Sequence, residues 1–150
     1  PRIGGDYRLT GTVASNPKEK LYGMGQDQQD IRNVKNCNLE LAHRNSQASV
    51  PFVLSDLGYG VLWHNPAIGR VSFASNTTEW YEESTKQMDY WITAGDTPDG
   101  IEQAYGTAVG NAPAMAESGL GFWQCKLRHR NPEDLLSRAR RSQRESIPVG

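Results

Sequence analysis

The stretch VPFVLSDLGYGVLW, residues 50–63, decides the fold of this chain. Two runs rich in β-branched and aromatic residues, 50–54 and 60–63, flank a short connection that contains Gly58. Strand-like runs separated by a short Gly-containing connection predict a β-hairpin. Asn65-Pro66 after the second run predicts a turn, because proline restricts the residue before it to extended conformations. We therefore expect two neighbouring antiparallel strands here.

Further strand patterns lie on both sides of the hairpin. Residues 7–13 and 39–42 favour strands upstream, and residues 26–38 between them are so rich in Gln, Asn and Asp that they predict a long solvated loop. Downstream, Val71 and Phe73 alternate with polar neighbours as in a half-buried strand, and strand-type residues continue beyond them. Short strands at this spacing indicate an antiparallel β-sandwich, so the fold is predicted to be mainly β.

Two helices are predicted from their N-terminal residues. Thr97 can cap a helix that has Pro98 in its first turn, and apolar residues follow at helical spacing, with Gly110 as the stop. Asn131-Pro132 repeats the cap-and-proline pattern, and the acidic pair after it places negative charge on the positive end of the helix dipole. We expect helices over residues 97–108 and from Pro132 onward.

The second helix belongs to a different kind of domain. The apolar run GLGFWQC, residues 119–125, is too short for a helix and predicts a buried strand, and Ile147-Pro148-Val149 has the character of another strand. A buried strand, a helix and a second strand open a βαβ unit, which requires a parallel sheet. We therefore predict most of a β-sandwich domain over residues 1–108 with a closing helix over 97–108, a linker over 109–118, and the first βα unit of a truncated α/β domain over 119–150.

The overall composition argues against two classes of partner. The formal net charge of the 150 residues is −1, so there is no global electrostatic attraction to nucleic acid or to an anionic membrane. The C-terminal segment is basic, but its arginines fit the solvated outer face of a helix, where Arg138 follows Asp134 at a favourable spacing. No apolar run has the length of a membrane span, and a signal-peptide pattern is missing at Pro1. We expect no nucleic-acid partner and no membrane partner.

Metal and cofactor chemistry is not indicated either. The three histidines, His43, His64 and His129, lie far apart in sequence, and none has a partner at metal-ligand spacing. The two cysteines, Cys37 and Cys125, are compatible with one long-range disulfide, although two free buried thiols fit better because disulfide scaffolds are denser in cysteine. We expect no metal and no cofactor.

Two places carry candidate binding residues. The polar triplet His43-Arg44-Asn45 follows a predicted strand and precedes the hairpin, and Arg44 and Asn45 offer donors to hydroxyl groups. A solvated loop is the simpler interpretation of the triplet, and a ligand-facing loop is the alternative. Lys126 lies near the C-terminal end of the strand predicted over 119–125, and in a parallel barrel such strand ends face the active site.

Several motifs together resemble glycoside hydrolase family 31, the α-glucosidase and α-xylosidase family, and most closely its α-xylosidase-like branch. They occur in the family's order over residues 21–148 and include LYGMGQ (21–26), HRN (43–45), PFVLS (51–55), GYGVLWHNPA (58–67), DYWITAGDTP (89–98), GFWQCKLR (121–128) and Ile147-Pro148. The resemblance implies an N-terminal β-sandwich of the galactose-mutarotase type and then a (β/α)8 barrel, whose first strand would be residues 119–127.

The resemblance also implies a function. The family hydrolyses α-glycosidic bonds with retention, through an Asp nucleophile and an Asp general acid that lie close together. Both belong to motifs beyond residue 150, so we expect this chain to carry no catalytic residue, to be inactive alone and to need the missing remainder of the catalytic barrel. One sandwich loop of the family shapes the substrate pocket and matches HRN, which makes Asn45 the first candidate for contact with a carbohydrate substrate and Arg44 the second. The alternative is a stand-alone β-sandwich module for carbohydrate binding or another interaction, without catalysis.

Overall fold

A computed structural model describes residues 6–148 of the chain. The chain divides into two compact units, Pro1–Gly110 and Asn111–Gly150. Among the described residues, the first unit contains eight β-strands and one α-helix, and the second contains a short 3-10 helix and one α-helix. Neither of these α-helices combines the length and the apolar character that crossing a bilayer requires.

The strands described within the first unit pair only in antiparallel fashion, and they form two four-stranded sheets. In chain order the strands are β1 (Tyr7–Ala14), β2 (Leu21–Gln26), β3 (Asn38–Leu41), β4 (Ala48–Ser55), β5 (Tyr59–Trp63), β6 (Gly69–Phe73), β7 (Thr77–Thr85) and β8 (Tyr90–Ala94). One sheet has the order β1-β7-β6-β3 and the other the order β2-β4-β5-β8. This architecture confirms the predicted antiparallel β-sandwich.

The predicted hairpin is confirmed as strands β4 and β5. Val53 pairs with Val61 and Leu54 pairs with Gly60. The connection turns at Gly58, whose φ of 85° lies in the left-handed region that favours glycine. The other strand patterns are confirmed by β1, β3, β6, β7 and β8.

The main core lies between the two sheets. Its buried members are Leu21, Met24, Val34, Leu41, Val53, Trp63, Val71, Phe73 and Trp80. The rings of Trp63 and Trp80, which come from opposite sheets, stack with their centroids 5.3 Å apart, and Phe73 meets Trp80 edge-on at 5.7 Å. Aromatic pairs in these geometries contribute about 0.5–1.5 kcal/mol beyond their burial. The three rings therefore help to fix how the sheets face each other.

Helix α1 (Pro98–Val109) covers the other face of the β2-β4-β5-β8 sheet and confirms the helix predicted over residues 97–108. The Thr97 hydroxyl caps it by accepting a hydrogen bond of 3.2 Å from a backbone N–H of the first turn. Ile101 is only 1% exposed and packs with Phe52, and the ring of Tyr105 stacks on Phe52 at 4.1 Å. Burying a side chain such as Ile101 stabilises the fold by about 1.5–3 kcal/mol.

The loop predicted over residues 26–38 is only partly solvated. Val34 and Lys35 are buried within it. The N–H of Val34 donates to the carbonyl of Leu21 at 2.8 Å, and the ammonium group of Lys35 lies 3.8 Å from the carboxylate of Glu19. Composition did not reveal this burial, because contacts with residues distant in sequence produce it.

The second unit contains no strand over residues 119–125, so the buried strand predicted there is wrong. A 3-10 helix (Glu117–Leu120) is followed by irregular chain, and Trp123 is 73% exposed, with its indole N–H donating to the carbonyl of Gly119 at 2.9 Å. A strand forms only where a neighbour pairs its backbone groups. Among the described residues of this unit, no strand is present that could pair with residues 119–125.

Helix α2 (Pro132–Arg144) confirms the second predicted helix. The side-chain oxygen of Asn131 caps it by accepting a hydrogen bond of 2.8 Å from the N–H of Asp134. Leu135 and Leu136 are both half exposed, so the apolar side of the helix is uncovered. The division into a sandwich over 1–108, a linker over 109–118 and the start of a barrel over 119–150 stays a prediction.

Candidate functional site

The triplet His43-Arg44-Asn45 lies on a tight turn between β3 and β4. The backbones of Arg44 and Gln47 exchange two hydrogen bonds, each 3.4 Å long, so Asn45 and Ser46 form the tip of the turn. The side chain of Asn45 is exposed there. The fold therefore places a carboxamide, which both donates and accepts hydrogen bonds, at a point that a ligand can reach.

A charged pair braces the turn. The guanidinium of Arg44 donates two hydrogen bonds to the carboxylate of Glu40, from Nε to Oε2 at 3.0 Å and from Nη2 to Oε1. The hydrogen bonds and the charge of Arg44 lower the pKa of Glu40, and the same contact raises the pKa of Arg44. Exposed pairs contribute little to stability, but a two-bonded geometry fixes direction. Part of the donor set of Arg44 is thus engaged with Glu40.

Two further side chains tie the base of the turn to its strands. The N–H of Ser49 donates to Nδ1 of His43 at 3.4 Å. On the other side, Nε2 of Gln47 donates to the carbonyl of Ala42 at 3.2 Å. Both contacts connect residues on opposite sides of the tip. The conformation of the turn is therefore held by side chains as well as by backbone pairing.

Strand β2, which pairs with β4, contains a run of left-handed backbone. Gly23, Met24 and Gly25 have φ angles of 107°, 73° and 90°, and the β2–β4 register shifts between the two glycines. A Cβ atom on Gly25 would lie 2.1 Å from the carbonyl oxygen of Ala48, just after the turn. A side chain in the left-handed region, as at Met24, costs about 1–2 kcal/mol. Backbone strain of this kind is frequent at binding sites.

A cavity of about 210 Å³ lies among β2, β3 and the start of β4. Met24, Val34 and Leu41 give it apolar walls, and Gln26 and Gln47 add amide groups. Such a lining suits a sugar ring, because a sugar presents apolar C–H faces together with hydroxyl groups that amides can bind. Sequence reasoning missed this cavity. The signal for it was the Gly-x-Gly run within LYGMGQ, since closely spaced glycines mark bulges.

Lys126, the third candidate, lies in the second unit and is engaged in an ion pair. Its ammonium nitrogen is 2.9 Å from Oδ2 of Asp134, and Arg138 and His129 flank the same carboxylate at 3.4 Å and 3.7 Å. The hydrogen bond from Lys126 lowers the pKa of Asp134 against a smaller opposing effect of burial. The structure thus brings Arg44 and Asn45 together on one turn, while Lys126 is paired with the first turn of α2.

Metal-ligating side chains do not converge among residues 6–148, where no group of three or more His, Cys, Asp or Glu side chains has the arrangement that holds an ion. Cys37 and Cys125 are both free. Cys37 is half-buried, but Cys125 is exposed, because the strand predicted to bury it is not formed.

No model of a protein family matches the chain. The chain does match individual relatives. A family 31 glucosidase of Pseudescherichia vulneris, itself uncharacterized, is 53% identical over 149 residues, which make up 99% of this chain and 28% of the relative. α-Xylosidase A of Aspergillus niger is 30% identical over 151 residues, 99% of this chain and 20% of the relative.

Solved structures agree with the sequence relatives. A GH31 α-xylosidase from a soil metagenome, solved with xylose, superposes with a TM-score of 0.87 at 54% identity, covering 100% of this chain and 22% of that protein. The xylosidase from Aspergillus niger superposes with a TM-score of 0.86 at 30% identity, covering 100% of this chain and 21% of that protein. A GH31 dextranase of Flavobacterium johnsoniae, at 18% identity and a TM-score of 0.74, shares the fold.

The β-sandwich of this chain matches the N-terminal domain of the solved GH31 structures. The chain is similar to the N-terminal region of glucosidases and α-xylosidases of glycoside hydrolase family 31. It spans 28% of the length of the curated glucosidase and 22% of the metagenomic α-xylosidase. The resemblance based on the motifs is thereby confirmed.

Proposed function

We propose that this chain is the N-terminal part of a retaining α-glycosidase that hydrolyses α-linked xylosides or glucosides in carbohydrate metabolism. The observation that carries the proposal is the match of the whole sandwich to the α-xylosidase solved with xylose, at a TM-score of 0.87 and 54% identity. In this proposal the catalytic Asp pair lies beyond residue 150. The sandwich then serves as a platform that presents the turn at Arg44 and Asn45 to the substrate pocket.

Within that platform, Asn45 is the first candidate for a sugar contact. Its exposure at the tip and the braced conformation of its turn support this role, because a preorganised carboxamide loses little entropy when it binds hydroxyl groups. Arg44 is the second candidate, with Glu40 holding its guanidinium in one direction. Lys126 is the third, and it would have to exchange its contact with Asp134 for a substrate hydroxyl.

For the second unit we propose the first step of a (β/α)8 barrel, reached through a linker over residues 109–118. Support comes from one backbone contact: the N–H of Phe122, before α2, donates to the carbonyl of Pro148, after α2, at 2.6 Å. Parallel strands must be joined by a crossover, usually a helix. A backbone bond between the segments on either side of a helix is the start of such a pairing.

The proposed activity is tested on the complete polypeptide that contains this chain, supplied with aryl α-xyloside and aryl α-glucoside. We expect release of the aryl group from at least one of them, with the α-anomer of the sugar as the first product by NMR, since retention passes through a glycosyl-enzyme intermediate. Absence of turnover on both substrates, or the β-anomer as first product, would contradict the proposal. A native mass equal to the 16.7 kDa of this chain, together with sugar binding, would instead favour the stand-alone module.

A further inference from the structure

An apolar cleft of about 360 Å³ opens between the two sheets of the first unit, alongside β1 and β8. These two strands each form an edge of their sheet. The mouth of the cleft exposes large apolar side chains: Val13 is 56% exposed, Met88 47%, Tyr90 53% and Ile92 58%. A concentration of exposed apolar surface at one place marks an interaction site more often than isolated exposed residues do.

The side chains of strand β8 that face the space between the sheets are exposed and not buried. Its side chains alternate between two faces, and Trp91 packs against the cluster under α1. Tyr90 and Ile92 therefore point the opposite way, into the space between the sheets, where they line the cleft with the core residue Trp63. In a closed sandwich these inward positions are the more buried ones. Here they are more exposed than Trp91.

The backbone of β8 has an unpaired edge beside the cleft. The N–H of Gly95 donates to the carbonyl of Gly58 at 3.0 Å, and the N–H of His64 donates to the carbonyl of Asp89 at 3.0 Å. Because pairing alternates along an antiparallel strand, these two bonds direct the odd-numbered backbone groups of β8 toward β5. The N–H groups of Tyr90, Ile92 and Ala94 then point away from β5, and no backbone acceptor within residues 6–148 meets them.

We propose that an extended segment of the complete polypeptide, outside residues 1–150, adds a strand to the open edge of β8 and places apolar side chains in the cleft. The inference rests on the proposed function, since it requires a longer protein. The relatives support that requirement, because this chain spans only 28% of the glucosidase and 22% of the metagenomic α-xylosidase. Added strands gain affinity from main-chain hydrogen bonds and specificity from alternate side chains in pockets.

A segment of the same polypeptide suits the cleft better than a second copy of the chain does. Attachment gives the segment an effective concentration that can reach the millimolar range, so a short strand and a small cleft suffice for stable pairing. The cleft volume of about 360 Å³ accommodates only a few side chains. A protein–protein interface of normal strength buries about 1,200–2,000 Å² and needs a wider surface.

Amide hydrogen exchange on the complete protein, resolved to single residues of β8, tests the inference with an internal control. An open edge gives an alternating pattern, in which Trp91 and Thr93 exchange slowly and Tyr90, Ile92 and Ala94 exchange fast. A covered edge slows the exchange of all five amides. We expect the amides of Tyr90, Ile92 and Ala94 to exchange about tenfold or more slowly than they would at an open edge. The alternating pattern would overturn the inference. Protection that disappears on dilution would also overturn it, in favour of a second copy.

A pair of matched variants gives an independent readout. Ile92 and Ile68 are almost equally exposed in this chain, at 58% and 61%, but only Ile92 lines the cleft. We expect Ile92→Asn to lower the melting temperature of the complete protein by about 4 °C or more, because it puts a polar group into a filled cleft, and Ile68→Asn to change it little. Equal effects of the two variants would contradict the inference.

Neither readout involves turnover. Failure of the glycosidase proposal and failure of this inference are therefore distinguished. An active enzyme with an alternating pattern in β8 would overturn only the inference, and an inactive protein with a protected β8 would overturn only the proposed activity.

Discussion

The indole N–H of Trp63 donates a hydrogen bond of 2.6 Å to Oε1 of Glu82, inside the sandwich. Glu82 is fully buried, and within residues 6–148 its second oxygen, Oε2, has no hydrogen-bond partner. Gly69 makes room for that oxygen, since a Cβ there would lie 2.9 Å from it. Burial raises the pKa of Glu82 more than the bond from Trp63 lowers it. The carboxyl group is thus favoured in its neutral form.

Because the pKa of Glu82 is raised, we predict that Glu82 lowers the free energy of unfolding as the pH rises. Its pKa in the folded chain lies above the reference value of 4.5, so its stabilising contribution is present below that value and is lost as the pH rises through the folded pKa. We expect Glu82→Gln, which stays neutral, to match the wild type in acid and to exceed it in free energy of unfolding at neutral pH. Urea unfolding over a pH series measures the difference. Glu79→Gln, on the opposite face of β7, is the control and should not reproduce the trend.

The second buried glutamate, Glu19, should show the opposite pH dependence. Burial alone would raise its pKa, but hydrogen bonds from Ser55 at 2.5 Å, from Tyr59 and from Ser15 at 3.1 Å, with the charge of Lys35, together lower it. Because the pKa of Glu19 is lowered, its stabilising contribution is present above pH 4.5, the reference pKa of a glutamate. That contribution is lost as the pH falls through the pKa of Glu19 in the folded chain.

We expect Glu19→Gln to reduce the free energy of unfolding by about 3 kcal/mol at neutral pH, because the buried ammonium of Lys35 keeps its hydrogen bond to Ser15 but loses the opposite charge of Glu19. The loss should shrink in acid, where the wild-type carboxylate is itself protonated. Urea unfolding of Glu19→Gln and Glu82→Gln side by side gives a sharp check. Parallel pH trends in the two variants would contradict at least one of the two assignments.

Sequence reasoning succeeded where a structure depends on residues close along the chain. The β4–β5 hairpin follows from a local strand–Gly–strand pattern, and the caps at Thr97 and Asn131 bind N–H groups within three residues. The HRN turn was placed between two strands for the same reason.

The errors concern long-range partners. Val34 was expected to be solvated because it lies within a polar segment of the sequence. In the structure its backbone N–H donates a hydrogen bond to the carbonyl of Leu21, and its side chain is part of the core. The run at Phe122 and Trp123 is apolar enough for a buried strand, but no sheet among the described residues pairs it. Apolar character predicts that a segment will be buried in some context, and only the tertiary structure supplies that context.

The 150-residue chain should show no hydrolysis of aryl α-xylosides or α-glucosides. Retention requires two carboxyl groups about 5–5.5 Å apart on either side of the scissile bond, and in the proposed arrangement this pair lies beyond residue 150. The complete polypeptide, assayed at the same molar concentration, is the control for substrate and conditions. Turnover by the short chain that survives rigorous purification would show that the catalytic pair lies within it and would overturn the proposed arrangement.

The sugar contact proposed for Asn45 predicts a selective loss of substrate binding by the complete polypeptide when the carboxamide is removed. Removing the carboxamide in Asn45→Ala deletes one hydrogen-bonding group at the tip of a braced turn, and a bond to a neutral hydroxyl contributes about 1 kcal/mol. We therefore expect KM to rise by roughly fivefold to tenfold, with a smaller change in kcat, because the group binds the sugar without taking part in bond cleavage.

Two further variants test whether Asn45 contacts the sugar directly or only stabilises the conformation of the turn. Glu40→Gln weakens the brace on Arg44 and leaves Asn45 in place, so it should raise KM less than Asn45→Ala does. Asn111→Ala removes an exposed carboxamide in the segment after α1 and serves as the matched control. Steady-state kinetics on aryl α-xyloside compares the three. If Asn45→Ala behaves like Asn111→Ala, the turn does not reach the sugar, and the amide-lined cavity beside β2 becomes the next place to test.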